Sequence, residues 1–155
     1  MSANQFVPRT RIVAVSLLFL FGSCFLQAAA TDLKLECTLI WGTNTEESPN
    51  PDHKAIDPAL ARKLLKVFKW KHYFEVSRQT LAIPVNQTKS AKMSSKCVVE
   101  AKNLGGSRVE VKLFGEGKLV EKRSQPLPPG EDLILAGDAK NDTAWFVVFR
   151  AINTP

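Results

Sequence analysis

The chain has 155 residues, of which 45% are hydrophobic, and its 21 basic and 15 acidic side chains give a formal net charge of +6. This length allows one domain at most after a targeting segment is set aside. The sequence has no internal repeat, and beyond the N-terminus no apolar run is long enough to span a bilayer, which excludes a protein with several membrane spans.

The N-terminal thirty residues have the three parts of a secretory signal. Residues 1–11 are polar and carry Arg9 and Arg11 without an acidic residue, and residues 12–26 are apolar. Small residues follow at 28–30, where a signal peptidase recognises its substrate. The pattern predicts cleavage after Ala30 and export of the rest of the chain to the periplasm or the extracellular space.

Two alternatives to cleavage remain open at this point. Cys24 follows a poor version of a lipoprotein signal and could become a lipidated N-terminus. Residues 12–30 are also just long enough to remain as a membrane anchor with the domain outside. A membrane contact is expected only in these two cases. All three interpretations place residues 31–155 outside the cytosol as a single β-rich domain, so nucleic acid is not an expected partner.

The first elements of this domain are a strand, a loop and a helix. Alternating apolar and polar residues from Leu33 to Trp41 predict a half-buried strand, and residues 43–56 form a proline-rich acidic loop. Asp57 and Pro58 are typical of a helix start, so we expect a short helix over residues 58–68. Its apolar stripe consists of Leu60, Ala61, Leu64, Leu65 and Phe68.

An aromatic stretch over residues 67–76 links the helix to the next predicted strand, residues 69–77. The alternation predicts that five of its side chains face inward and anchor the core, while Lys69, Lys71 and Tyr73 face outward. The five inward residues are Phe68, Trp70, His72, Phe74 and Val76.

The remaining predicted strands are short and separated by turn residues. Pro84 makes the first of them an edge or a strand end, and residues 86–95 are expected to be a polar loop. Residues 144–152 are apolar on both faces, which is typical of a central strand covered on both sides. The predicted segments are 81–85, 96–102, 108–113, 118–124, 132–136 and 144–152.

These elements predict a mainly β fold. About seven or eight short strands with regular turns favour an antiparallel β-sandwich or curled sheet, with the helix packed on it. The alternative is an open α+β sheet with the helix on one face.

Two cysteines, Cys37 and Cys97, remain after the predicted cleavage. An even number in an exported chain favours a disulfide, which would close a loop of about sixty residues. The alternative is two buried free thiols, because cysteine is among the most buried residue types.

The sequence contains no recognisable catalytic or metal-binding constellation. His53 and His72 are the only histidines, and neither belongs to a known nucleophile motif. Asp138, Asn141 and Asp142 are calcium-ligand types, but their spacing fits an ordinary hairpin turn. Phosphate-binding loops and dinucleotide fingerprints are absent. We therefore expect no catalytic residue, no metal and no cofactor.

The strongest functional pattern is electrostatic. Between Asp57 and Lys96 the sequence has nine basic and two acidic residues. Four basic side chains belong to the helix and its end, and we name them as the candidate anion-binding site: Arg62, Lys63, Lys66 and Lys69. Such a surface could bind an anionic envelope polymer, lipid head groups or an acidic protein. The alternative is an ordinary solvated helix surface, since charge runs usually serve solubility.

Three motifs resemble a family of small exported bacterial proteins with no characterised role: L-I-W-G-T-N, F-K-W-K-x-Y-F-E-V and A-G-D-x-K-N-D-T-A-W-F-V-V. The resemblance covers most of the domain and implies export and a single domain, without assigning a role to any residue.

The sequence therefore predicts an exported, non-enzymatic binding module that uses the basic helix face. One alternative is an accessory subunit that pairs with a partner through a sheet edge, near Pro84. Another is an unrecognised hydrolase that depends on His53 or His72.

Overall fold

The computed structural model describes residues 32–137 and 141–152, so the predicted signal peptide, its alternative anchor at 12–30 and Cys24 lie outside the described residues. Within this part of the chain there are nine strands and one helix. In chain order they are β1 Leu33–Thr43, β2 Lys54–Ala55, α1 Pro58–Val67, β3 His72–Ile83, β4 Thr88–Lys92, β5 Cys97–Gly105, β6 Arg108–Gly115, β7 Lys118–Pro126, β8 Asp132–Gly137 and β9 Ala144–Ile152.

The strands form two antiparallel sheets. The larger sheet has the order β2-β3-β1-β9-β8, and the smaller has the order β4-β5-β6-β7. The predicted mainly β, sandwich-like architecture with one helix is therefore confirmed, and the single open sheet is not what forms. Two strands were not predicted: β2, which has only two residues, and β4, which replaces part of the expected loop at 86–95. The predicted strands at 69–77 and 81–85 are one continuous strand, β3.

The main core lies between the two sheets. Leu35 and Leu39 of β1, Val147 and Phe149 of β9 and Leu113 of β6 contribute to one buried cluster. Alternation along each strand places these aliphatic side chains on the facing surfaces. This layer fixes how the two sheets stack.

Cys37 and Cys97 are both buried free thiols in this core, which corrects the expectation of a disulfide. They belong to β1 and β5, strands of different sheets. Each packs there as a small apolar side chain, the alternative that the sequence left open. The domain is therefore stabilised by apolar packing without a crosslink between these two residues.

Helix α1 covers part of the outer face of the larger sheet. Asp57 caps it, since its carboxylate Oδ1 accepts a hydrogen bond of 2.9 Å from the backbone N–H of Leu60, and Pro58 occupies the first turn. Leu60 and Leu64 are buried against Ile40 and other side chains of a second cluster. This second cluster positions the helix, and its predicted range of 58–68 is confirmed to within one residue.

The aromatic stretch does not follow the predicted alternation. Phe68 and Trp70 pack against Phe146 before β3 begins, with ring centroids 4.5 Å and 5.7 Å apart. Strand β3 then starts at His72 and buries Tyr73 under the helix, where its side chain is only 6% exposed. The prediction that Tyr73 faces outward is therefore wrong, because the residues before His72 form a bend that resets the register.

Two glycines, one in each sheet, make room for the indole ring of Trp145. A Cβ on Gly137 would lie 1.9 Å from the indole of Trp145, its neighbour across β8 and β9. The same indole lies within 3.1 Å of the Cβ position of Gly115 in the other sheet. Trp145 thus joins the ends of both sheets, and Gly137 is required because any side chain would displace the ring.

Candidate partner-binding surface on the helix

The four basic residues proposed from the sequence have two different environments. Lys63 binds Asp132 on β8 with a distance of 2.5 Å between Nζ and Oδ2. Lys69 binds Asp142 at 3.1 Å, and its Nζ lies 5.2 Å from the ring centroid of Trp70. Lys63 thus ties the helix to β8, whereas Lys69 pairs with the turn before β9, so both cations have acidic partners within the fold.

Arg62 and Lys66 are exposed, and neither has an ion pair within the described residues. They lie one helical turn apart, so their side chains share one face of α1. This pair is what remains of the predicted anion-binding site once Lys63 and Lys69 are assigned to structural contacts.

Two apolar side chains of the same helix are also exposed. Leu65 is 49% exposed and Val67 is 73% exposed. The sequence placed Leu65 in the buried stripe, which is wrong, because Leu60 and Leu64 alone turn toward the sheet. We call Arg62, Leu65 and Lys66 together the helix surface. Val67 follows Leu65 by two residues, about 200° around the helix, so it lies on the other flank, with Lys63. The mixture of two cations and an aliphatic side chain was not evident from helical spacing.

The wider basic excess between residues 57 and 96 does not form one patch. Arg78 pairs with Glu36 at 3.1 Å and with Glu75 at 2.6 Å on the outer face of the larger sheet. Lys89 and Lys92 lie on β4 in the other sheet. Folding therefore distributes these charges over the helix and both sheets.

A charged pocket of about 190 Å³ lies beside the start of α1. It is lined by Glu36, Thr38, Asp57, Leu60, Arg78, Val148 and Arg150. The strand registers place Asp132 opposite Arg150 and Arg150 opposite Glu36, so acidic and basic side chains alternate across β8, β9 and β1. The pocket therefore carries both signs of charge.

The ion pairs of this pocket keep their partners charged. Burial alone would raise the pKa of Asp132, but hydrogen bonds from Arg150 and Lys63 hold that pKa below its ordinary value. The hydrogen bond to Glu75 raises the pKa of Arg78 above its usual range, and the bond to Asp132 does the same for Arg150. Since these cations are already bound to neighbouring carboxylates, the arrangement fits a structural network better than a ligand site.

The histidines are not brought together. His53 Nδ1 lies 2.7 Å from the Ser48 hydroxyl in the acidic loop, whereas His72 begins β3 opposite Thr43. Among residues 32–137 and 141–152, no carboxylate hydrogen-bonds to His53, so a serine–histidine–acid triad is not formed there. The Ser48 hydroxyl also accepts a hydrogen bond from the Asn50 backbone, which is typical of a local loop contact.

Other reactive groups also lie in structural positions. Burial raises the pKa of the Cys37 thiol to about 12, with a contribution from Glu36, and that of Cys97 to about 11. Asp142 accepts hydrogen bonds from Lys69 and Asn44, while Asp138 lies outside the described residues. Within the described part of the chain, no three ligand-type side chains are grouped for a metal ion.

No protein family, curated protein or solved structure matches this chain in a search. Residues 32–137 and 141–152 also contain no helix with the length and hydropathy of a membrane span.

Proposed function

We propose that this chain is a non-enzymatic binding module whose helix surface docks an acidic partner protein. The observation that carries the proposal is the exposure of Leu65 next to Arg62 and Lys66 on a helix fixed to the sheet by its other side. Exposed aliphatic groups favour burial against a partner, and the adjacent cations select an acidic one.

The helix is suited to recognition because it is held rigidly. Its N-cap, the buried Leu60 and Leu64 and the Lys63–Asp132 ion pair fix its position on the sheet. A preorganised surface loses less conformational entropy on binding than a mobile one. If the chain is exported, as residues 1–30 predict, the partner is an acidic envelope protein. The alternative is an anionic envelope polymer, which would contact the cations but bury little of Leu65.

Charge reversal tests the proposal directly. The protein, purified in the form in which the cell makes it, is immobilised and exposed to envelope extract at low and high salt, beside an Arg62→Glu/Lys66→Glu variant. We expect the native protein to retain an acidic partner at low salt, with at least tenfold less retained by the variant or at high salt.

The matched control is Lys89→Glu/Lys92→Glu, which changes the net charge equally on exposed positions of β4. Retention of the partner by this control assigns the binding to the helix surface. Equal loss in both variants would show a general charge effect and contradict the proposal. A further variant, Leu65→Ser, should weaken binding of a protein partner strongly and binding of a polymer only slightly, because a polymer is held mainly by charge.

A sheet edge is the second candidate interaction surface, and we propose a location for it other than Pro84. The Pro84 carbonyl accepts a hydrogen bond of 3.0 Å from the Gln87 backbone in the turn between β3 and β4. An edge on the opposite side of the larger sheet has the features that pairing requires.

A further inference from the structure

The sheet edges of this domain differ in how they resist pairing with another strand. Strand β4 has only five residues and exposes Lys89 and Lys92. Strand β7 exposes lysines, has an irregular register with β6 and ends at Pro126. Short length, exposed lysine, bulges and proline all oppose edge-to-edge association. The edges of the smaller sheet are therefore protected.

At one side of the larger sheet, the edge is also covered. Strand β2 pairs with Phe74 and Glu75 of β3. Farther along β3, the Ser77 hydroxyl donates to the Met93 carbonyl at 2.6 Å, and the Gln79 amide donates to the Lys92 carbonyl at 2.7 Å. These contacts tie β3 to the chain that follows it.

Strand β8 is also short, with six residues, but it lacks the exposed lysines, the proline and the irregular register of the other edges. Its sequence, D-L-I-L-A-G, contains no lysine, arginine or proline, and its register with β9 is continuous from Asp132 to Gly137. The carboxylate of Asp132 is turned into ion pairs with Lys63 and Arg150 and is only 3% exposed. About half of the backbone N–H and C=O groups of such a strand point away from β9, toward an edge on which no other strand of residues 32–137 and 141–152 pairs.

We infer that β8 is a dimerisation edge, where β8 of a second copy of this chain pairs antiparallel across a two-fold axis. A two-fold axis perpendicular to the sheet keeps the same face of both copies on the same side. In the register centred on Ile134, Leu133 lies opposite the partner's Leu135 on the core side. The larger sheets of the two copies then form one sheet of ten strands.

Charge and apolar exposure both favour a second copy as the occupant. In this register Asp132 lies opposite the partner's Ala136, so no like charges face each other across the pair. Val67 follows Lys63 by one helical turn, on the side of α1 from which Lys63 reaches β8. Val67 is therefore placed near the edge, where a second copy would cover it.

The dimer and the proposed partner binding respond oppositely to salt. Each copy carries a net positive charge, so salt should strengthen self-association by screening the repulsion. Binding of an acidic partner should weaken under the same conditions. Failure of either proposal is therefore distinguishable from failure of the other.

Sedimentation equilibrium of the protein, purified as the cell makes it, tests the inference beside an Ala136→Glu variant. Ala136 is exposed, so the variant should keep its fold, which its thermal unfolding checks. We expect a monomer–dimer equilibrium whose dissociation constant rises at least tenfold in Ala136→Glu. Ser90→Glu, the same change on an exposed position of β4, should leave the constant unchanged.

Amide hydrogen exchange at low and high protein concentration locates the contact. Exchange in β8 should slow as the dimer forms, whereas exchange in β4 should not change. A monomer at every soluble concentration, or a dimer weakened equally by both variants, would overturn the inference. Protection of β8 that is complete in the monomer would also overturn it, because another segment of the same chain would then cover the edge.

Discussion

The two faces of the larger sheet are stabilised in different ways. The inner face carries aliphatic side chains and Phe149, all packed against the smaller sheet. The outer face is divided: Ile40, Phe146 and Tyr73 lie under the helix, while Glu36, Arg78 and Arg150 form ion pairs beyond it. A second sheet can cover a whole face, but a ten-residue helix covers only part of one. The uncovered part is therefore polar and paired.

This difference explains why the outer face carries the candidate interaction surfaces. The helix that covers it must expose its own other side, and that side carries Arg62 and Leu65. The inner face has no comparable exposure, since its side chains are enclosed by both sheets. Substitutions on each face can therefore separate packing from ion pairing as the source of stability.

The largest effect is expected for Leu135→Ala on the inner face. Leu135 is fully buried, so its truncation should lower the free energy of unfolding by about 2–5 kcal/mol through lost transfer energy and a cavity. Ile134→Ala, on the half-buried outer face of the same strand, should lower the free energy of unfolding clearly less. Urea denaturation of both variants measures the difference. Equal losses would show that the two faces are packed to the same extent.

A smaller effect is expected for Asp132→Asn, in the row of ion pairs that crosses β8, β9 and β1. The change removes a buried carboxylate from Lys63 and Arg150, which should lower the free energy of unfolding by about 1–3 kcal/mol. Glu110→Gln is the control, because its pair with Lys122 lies on the outer face of the smaller sheet, and exposed pairs contribute about 0–1 kcal/mol. If both variants unfold alike, the row on the larger sheet is no more than a set of surface pairs.

The pH dependence of stability should follow the ionisation of the Asp132 carboxylate. Because the pKa of Asp132 is lower in the folded than in the unfolded protein, its contribution is complete above the unfolded pKa of about 3.9. The contribution is lost as pH falls through the folded pKa. The difference in unfolding free energy between wild type and Asp132→Asn should therefore shrink between about pH 5 and pH 2. A difference that stays constant over this range would contradict the assignment to charge.

The smallest effect is expected for Tyr73→Phe. The Tyr73 hydroxyl is buried without a hydrogen-bond partner among the described residues, and burial raises the pKa of this phenol. Removing an unsatisfied hydroxyl should leave stability unchanged or raise it by up to about 1 kcal/mol. Thermal unfolding distinguishes this result from a loss of more than about 1 kcal/mol, which would reveal a bonded hydroxyl.

Local patterns in the sequence predicted much of the fold. Asp57 and Pro58 located the helix, and alternation located β1, β5 and β6, because capping and period-two burial depend on nearby residues. A run that is apolar on both faces located β9. Tyr73 was misplaced because the bend before His72 shifts the register, and alternation does not reveal a bend. The polar strand β4 was missed because its residues resemble a loop.

The candidate site was predicted only in part. The basic residues of the helix are visible in the sequence, but the pairing of Lys63 with Asp132, 69 positions later, depends on the tertiary fold. The exposure of Leu65 likewise depends on how the helix rolls against Ile40 and Phe146. The free β8 edge follows from strand order, which local patterns do not encode.

The pairing of β1 with β9 also affects how the chain folds. These neighbours in the larger sheet are the first and last strands of residues 32–137 and 141–152, and Leu35 lies opposite Ala151. A loop spanning nearly the whole domain must therefore close before this part of the sheet forms, which is typical of slow folding. During synthesis, the apolar face of β1 stays without one of its two strand neighbours until β9 has left the ribosome. Deletion of β9 should thus leave a chain that does not reach the native fold.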